Sequence, residues 1–174
     1  MSGGVIFVDR DNDVCLVGYM LDRDFSAIND AIVVAHLARL DRTGTITDAT
    51  NVSQIVITTA EPHELEDGDE VLIGLVEGNL AANGAHEITV LTPTTFRLDG
   101  VPGDGDYLSG GTWWLAVESA TNVPMPYEAG SRGNYRGAFS GEIELTAGNR
   151  YVRVIQVQNY VDRWQSILTA QISS

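Results

Sequence analysis

An all-β fold is predicted by three observations. Between Ile55 and Gly111, short apolar or β-branched runs alternate with turn signals rich in Gly, Pro, Asn and Asp. The flanks carry further runs of β character: Val5–Val8, Val14–Leu21 and Ala31–Leu40 before that stretch, and Trp113–Val117, Tyr135–Leu145 and Arg150–Val157 after it. With 174 residues and 44% hydrophobic content, the chain has enough apolar material for a packed core without disulfides or metals.

Taken in order, Val5–Val8 is the first strand and Asp9–Asp13 a solvated hairpin turn into Val14–Leu21. Cys15, the single cysteine, lies in the apolar run Val14–Val17, which predicts a buried thiol and permits no intrachain disulfide. Phe25–Leu40 is ambiguous. Ile28, Ile32, Ala35, Leu37 and Leu40 partly follow helical spacing, and Ser26, Asn29 and Asp30 suit a helix start. Yet Ile32–Val34 is β-branched, and Val34, His36, Ala38 and Leu40 would share one side of a strand, so strand is favoured for the second half.

Within the central stretch, Val56–Thr59 and Glu70–Ile73 are strands, with turns at Pro62–Glu64 and Glu66–Asp69. Asn83-Gly84 leads into His86–Leu91, whose alternation fits a half-exposed strand, and Pro93–Thr95 turns into Phe96–Leu98, predicting a hairpin. Gly100–Gly111 carries five glycines and a proline, which predicts a long loop. Trp113 and Trp114 are successive, so on a strand one indole points in and the other out. The outward one marks either an interface or the packing of the central module onto its host. In Arg150–Val157, Tyr151, Arg153, Ile155 and Val157 fall on one face, and Val152, Val154 and Gln156 on the other.

A segment of about 40 residues rarely folds alone. The expected organisation is therefore a discontinuous host, 1–44 plus 112–174, carrying an inserted module at 45–111. The net charge of −14 repels phosphate backbones and anionic lipid surfaces, so direct nucleic-acid binding is not expected. A basic N-terminal segment followed by a long apolar one is absent, as is any run of membrane-spanning length, so neither classical secretion nor a membrane location is expected.

Candidate chemistry is sparse. Asp9–Asp13 has alternating acids, but an EF-hand would need Gly where Val14 stands and Glu where Met20 stands. A weak surface cation site remains open there and at Asp99–Asp106. Six carboxylates between Glu61 and Glu70 serve either solubility or a basic partner surface. His36, His63 and His86 lie in different elements without metal-ligand spacing. No GxSxG, P-loop or strand-to-helix GxGxxG appears, and no cofactor is expected. Trp113, Trp114, Tyr127, Tyr135 and Trp164 are candidates for an interface.

The runs Ile57–Leu65 (ITTAEPHEL), Asp67–Val71 (DGDEV), Gly78–Gly84 (GNLAANG), Thr94–Gly100 (TTFRLDG) and Tyr107–Gly111 (YLSGG) resemble the first catalytic cysteine half-domain (FCCH) of ubiquitin-activating enzymes. That type recurs in structural proteins of tailed bacteriophages and prophages. The resemblance implies a small β-barrel-like module with no catalytic residue of its own. Cys15 lies outside the resembling segment, and no adenylation domain is present, so ubiquitin chemistry is not expected.

The flanking runs Asp24–Leu37, Val123–Tyr127, Gly133–Phe139 and Leu145–Ile155 are similar to the immunoglobulin-like sandwiches of phage and cell-surface proteins. That resemblance implies a strand beginning at Tyr135 and a turn at Gly148-Asn149 leading into Arg150–Val157. It departs from antibody domains in lacking a Cys pair around a core Trp. Together these imply an all-β chain, an immunoglobulin-like sandwich with an inserted small β-barrel-like module. The implied role is that of a non-enzymatic virion component in capsid decoration, neck or tail, binding other virion proteins and multimeric in the particle. The alternative is a carbohydrate- or receptor-binding module of a tail fibre, using the loop 99–111 with Trp113 or Trp114 as a stacking platform.

Overall fold

A computed structural model of the chain describes residues 4–16, 26–157 and 163–172, with backbone alone for 163–167. The chain is all-β. Its described strands are β1 (Gly4–Val8), β2 (Asn12–Leu16), β3 (Val33–Ala49), β4 (Val56–Thr59), β5 (Glu70–Glu77), β6 (Gly84–Thr92), β7 (Thr95–Leu98), β8 (Ser109–Ala116), β9 (Val123–Pro124), β10 (Tyr135–Phe139), β11 (Arg150–Val157) and β12 (Arg163–Ile172). The helical content is a 3₁₀ turn at Leu80–Ala82, and among the described residues no helix is long and apolar enough to cross a membrane.

Two compact units result, one from residues 1–37 and 117–174, the other from 38–116. The division falls inside β3, because that strand continues well past Leu40. The ambiguous segment Ser26–Ile32 forms no helix, and Phe25 lies outside the described residues.

In the first unit, β1 runs parallel to β12, which pairs antiparallel with β11; β11 neighbours the start of β3, and β9 pairs with β3 at Val34 and Ala35. A separate two-stranded sheet joins β2 to β10 antiparallel, with Leu16 opposite Tyr135 and Asn12 opposite Phe139. The core takes Val33, Ala35 and Leu37 from β3, Tyr151, Ile155 and Val157 from β11, Val14 and Leu16 from β2, and Tyr135 and Phe139 from β10. These positions alternate along each strand, as a sheet with one core-facing side requires. The chain leaves this unit at Leu37 and re-enters at Val117, whose N–H donates to the Leu37 carbonyl at 2.9 Å.

The first unit corrects two expectations and leaves a third partly outside the described residues. Asp9–Asp13 is not a hairpin turn, since β1 and β2 lie in different sheets. The Asn12 side chain shapes the bend, accepting from Phe7 N at 2.7 Å and donating to Phe7 O at 2.8 Å. The strand expected over Val14–Leu21 is Asn12–Leu16 as far as it is described, residues 17–25 lying outside the described part. The strand from Tyr135 ends at Phe139, where Ser140 and the following turn take over.

In the second unit, the strands pair antiparallel in the order β3-β4-β7-β6-β5-β8, and β8 pairs back onto β3 through Thr43–Trp114 and Gly44–Trp113. The hydrogen-bond ladder therefore closes into a six-stranded barrel, which leaves no free sheet edge. Its interior holds Ile46, Ile57, Ile73, Ile88, Phe96, Leu98 and Trp113. The long loop expected over Gly100–Gly111 is shorter, since β8 begins at Ser109 and its two glycines there belong to the ladder.

Candidate functional site

Local sequence explains why the barrel's polar motifs are where they are. In Gly78–Gly84, Gly78 has φ 90° and packs so closely on the Leu108 side chain that a Cβ would fall 2.8 Å from Leu108 Cγ. Asn79 follows, fully buried. Its Nδ2 donates to Ala49 O at 3.2 Å and Thr50 O at 3.0 Å, while its Oδ1 accepts from Asp104 N at 3.2 Å. One side chain thus ties the end of β3, the 3₁₀ turn and the loop before β8. Asn83 completes the turn, accepting from Val76 N at 3.0 Å and donating to Val76 O at 2.9 Å.

The acidic corner is similarly engaged. Asp67 Oδ1 accepts from Val90 N at 2.7 Å, and Asp69 Oδ2 from Glu66 N at 2.9 Å. His63 is buried, with Nε2 at 3.0 Å from Thr92 O and Nδ1 accepting from Leu65 N at 3.0 Å. The tautomer carrying its proton on Nε2 satisfies both contacts. Its ring meets Phe96 edge-on at 5.4 Å. His86 packs under the Ala82–Gly84 turn instead. Its Nε2 is buried without a hydrogen-bond partner, and burial pushes the imidazole below its ordinary value, partly countered by the Ala82 and Asn83 backbone.

The carboxylates proposed as cation sites do not converge. Asp99 accepts from Thr89 Oγ1 at 2.9 Å and pairs with Arg97 at 3.0 Å, Asp104 accepts from Ala81 N, and Asp106 from Asn51 Nδ2. In the first unit, Asp11 accepts from Gly141 N at 2.8 Å, and Asp13 lies 3.6 Å from Arg136. Among the described residues no group of three His, Cys, Asp or Glu is placed to hold a metal. A cavity of about 410 Å³ in the first unit is lined by both signs, Arg10 and Arg153 against Asp11 and Asp13. Burial lowers the Arg153 guanidinium below its ordinary value.

The aromatic residues proposed for an interface are placed otherwise. Trp113 is 3% exposed and packs edge-on against Phe96 inside the barrel, and Trp114 is 7% exposed. Neither indole of this pair is therefore exposed, and the loop 99–111 has no stacking platform from them. Strand alternation does turn the two rings to opposite sides, but both sides are covered. Tyr135 is 1% exposed and staples the stretch before β3, its hydroxyl donating to Ile28 O at 2.9 Å and accepting from Ala31 N at 3.2 Å. Tyr127 is half-buried, edge-on to Tyr135 at 5.6 Å, and donates to Ser131 O at 2.7 Å. Trp164 sits in the β12 backbone opposite Ile155, its side chain outside the described part.

What is exposed instead is aliphatic. Leu108 is 74% exposed, Leu75 63% and Leu80 53%. Exposed leucines escape a sequence reading that looks for aromatic anchors, because a leucine in a strand is ordinarily taken as core.

Comparison with known proteins agrees with the barrel's motifs. The family described as the ubiquitin-activating enzyme E1 FCCH domain matches residues 51–114, and it is a non-catalytic domain of those enzymes. Among curated proteins, none matches the chain. The inserted barrel of this all-β chain is an FCCH-like β-module.

Proposed function

We propose that the chain is a non-enzymatic structural component of a tailed-phage virion, a capsid decoration, neck or tail accessory protein working through protein–protein contacts in the assembled particle. The observation that carries this is the insertion. A closed barrel leaves its host between Leu37 and Val117, which are hydrogen-bonded neighbours, and the side chains of its polar motifs hold its own turns. Such a module is displayed rather than built around a reacting centre, and its outward leucines are free for contact.

The host unit supports an immunoglobulin-like sandwich. β2 pairs β10 in one sheet while β3, β11 and β12 are neighbours in the other, matching the B–E and C–F–G partnering of that fold. Buried Tyr151, near the start of β11, accepts from Thr146 N at 2.9 Å, which resembles the tyrosine corner of such domains. With Trp113 and Trp114 buried, the stacking platform that the glycan-binding alternative requires beside the loop 99–111 is missing among the described residues. Sedimentation of the purified chain with virions from its source, followed by mass spectrometry of the pelleted particles, tests the role. Co-sedimentation at a fixed copy number is expected, and a chain that stays free of particles refutes it.

A further inference from the structure

We propose that the leucines at one end of the barrel, Leu75, Leu80 and Leu108, form a docking surface for a protein partner that presents an apolar pocket bordered by Arg or Lys. The argument begins with backbone geometry. Along β5, Val71 and Ile73 face the barrel interior, and strict alternation would send Leu75 after them. Val76 enters the interior instead. Leu75 adopts φ 67°, opposite a stretch of β8 in which Gly110 and Gly111 also have positive φ, and is turned out to solvent.

A leucine in the left-handed region is strained, and burial here returns little against that strain. Glycine would suit the backbone better, so the exposed side chain is what the position retains. Leu108 joins it from β8's approach, its N–H donating to Glu77 O at 2.9 Å and its side chain lying over Gly78; Leu80 opens the 3₁₀ turn two residues further on.

Charge selects the occupant. Residues 38–116 contain 13 Asp and Glu against 3 Arg, a net −10 of the chain's −14, with no Lys or Arg between 43 and 96. Exposed Glu77 lies on β5 with Leu75, and exposed Asp104 and Asp106 lie on the loop that leads to Leu108. Arg39 pairs with Asp41, Arg97 with Asp99, and Arg42 donates to Glu64 O. An apolar centre within an acidic rim repels a second copy of the chain and anionic lipid, and complements a basic protein. The closed barrel has no edge to extend by strand addition, so side chains must make the contact.

The proposal deepens the contact-making role proposed above, and the two fail separately, because virion sedimentation does not locate the surface and the following titration uses the chain alone. The isotope-labelled full chain is titrated with an amphipathic leucine–lysine peptide, the matching leucine–glutamate peptide and phosphatidylserine vesicles, with amide shifts read by NMR. Shifts centred on Leu75, Leu80 and Leu108 are expected with the lysine peptide. Leu108→Asp weakens its binding roughly tenfold or more. Leu75→Gly weakens it too while leaving the melting temperature unchanged or raised, which a purely structural leucine would not do. The proposal is overturned by unaltered binding in both variants, by shifts confined to Glu61–Glu70, by equal affinity for the glutamate peptide, by binding to the vesicles instead, or by self-association of the chain through these leucines.

Discussion

Replacing Asn79 by alanine should loosen the barrel at the point where three segments meet. The side chain makes three hydrogen bonds to backbone groups, to Ala49 O, Thr50 O and Asp104 N, at 3.0–3.2 Å. Each neutral bond contributes ~1 kcal/mol, and a buried group left without its partner costs about 1–3 kcal/mol. The Ala49 contact is fully buried while the other two are half-buried and recover some hydration. The expected loss is therefore about 2–4 kcal/mol.

Asn79→Asp separates this from simple loss of volume. An ionised carboxylate has no donor and would face two carbonyl oxygens. Its folded-state pKa is therefore raised above the unfolded value of about 3.9. Stability from the protonated form is present below that value and is lost as pH rises through the raised folded pKa. Relative to the native chain at the same pH, the aspartate variant should be least stable near neutrality and recover on acidification. Urea unfolding followed by tryptophan fluorescence gives the free energies, and amide exchange at Asp104 reports the latch locally. An alanine variant within about 0.5 kcal/mol of native, with Asp104 protection unchanged, would refute the reasoning.

Two other perturbations follow from the same barrel. A Cβ at Gly44 would fall 2.7 Å from Trp113 Nε1 and 3.0 Å from Cε2, and Phe96 backs the indole, so Gly44→Ala should cost about 1–3 kcal/mol by overpacking and shift the Trp emission; unchanged stability would mean that the ring has room to move. His86 is held below its ordinary value of 6.5 by burial, so the unfolded chain takes up a proton that the folded one resists. Stability is full above 6.5 and falls as pH drops below it, and His86→Gln should flatten that decline; an identical pH profile in the variant would remove His86 as its source.

Much of the barrel was legible in sequence because its signals are local. Val56–Thr59 is both the expected and the observed strand, and Pro93-Thr94 makes the expected hairpin, since β-branched residues and turn formers act over a few positions. The GNLAANG run is recognisable as a motif, but that Asn79 is its buried latch is not, because Ala49 and Thr50 lie 30 and 29 residues before it and Asp104 25 residues after it.

The all-β class, the strand-and-turn rhythm of residues 55–98, the acidic charge and the FCCH-like character of the insert are legible without coordinates, because all are properties of composition and short-range pattern. Tertiary structure alone decided what each strand faces. Alternation divides Trp113 from Trp114 but cannot say that both sides are covered, and it places Leu75 inside where a left-handed residue turns it out. It also decided that β1 and β2 part into different sheets and that β8 closes on β3. Burial and closure depend on segments far apart in the chain, and no local propensity encodes which of them will meet.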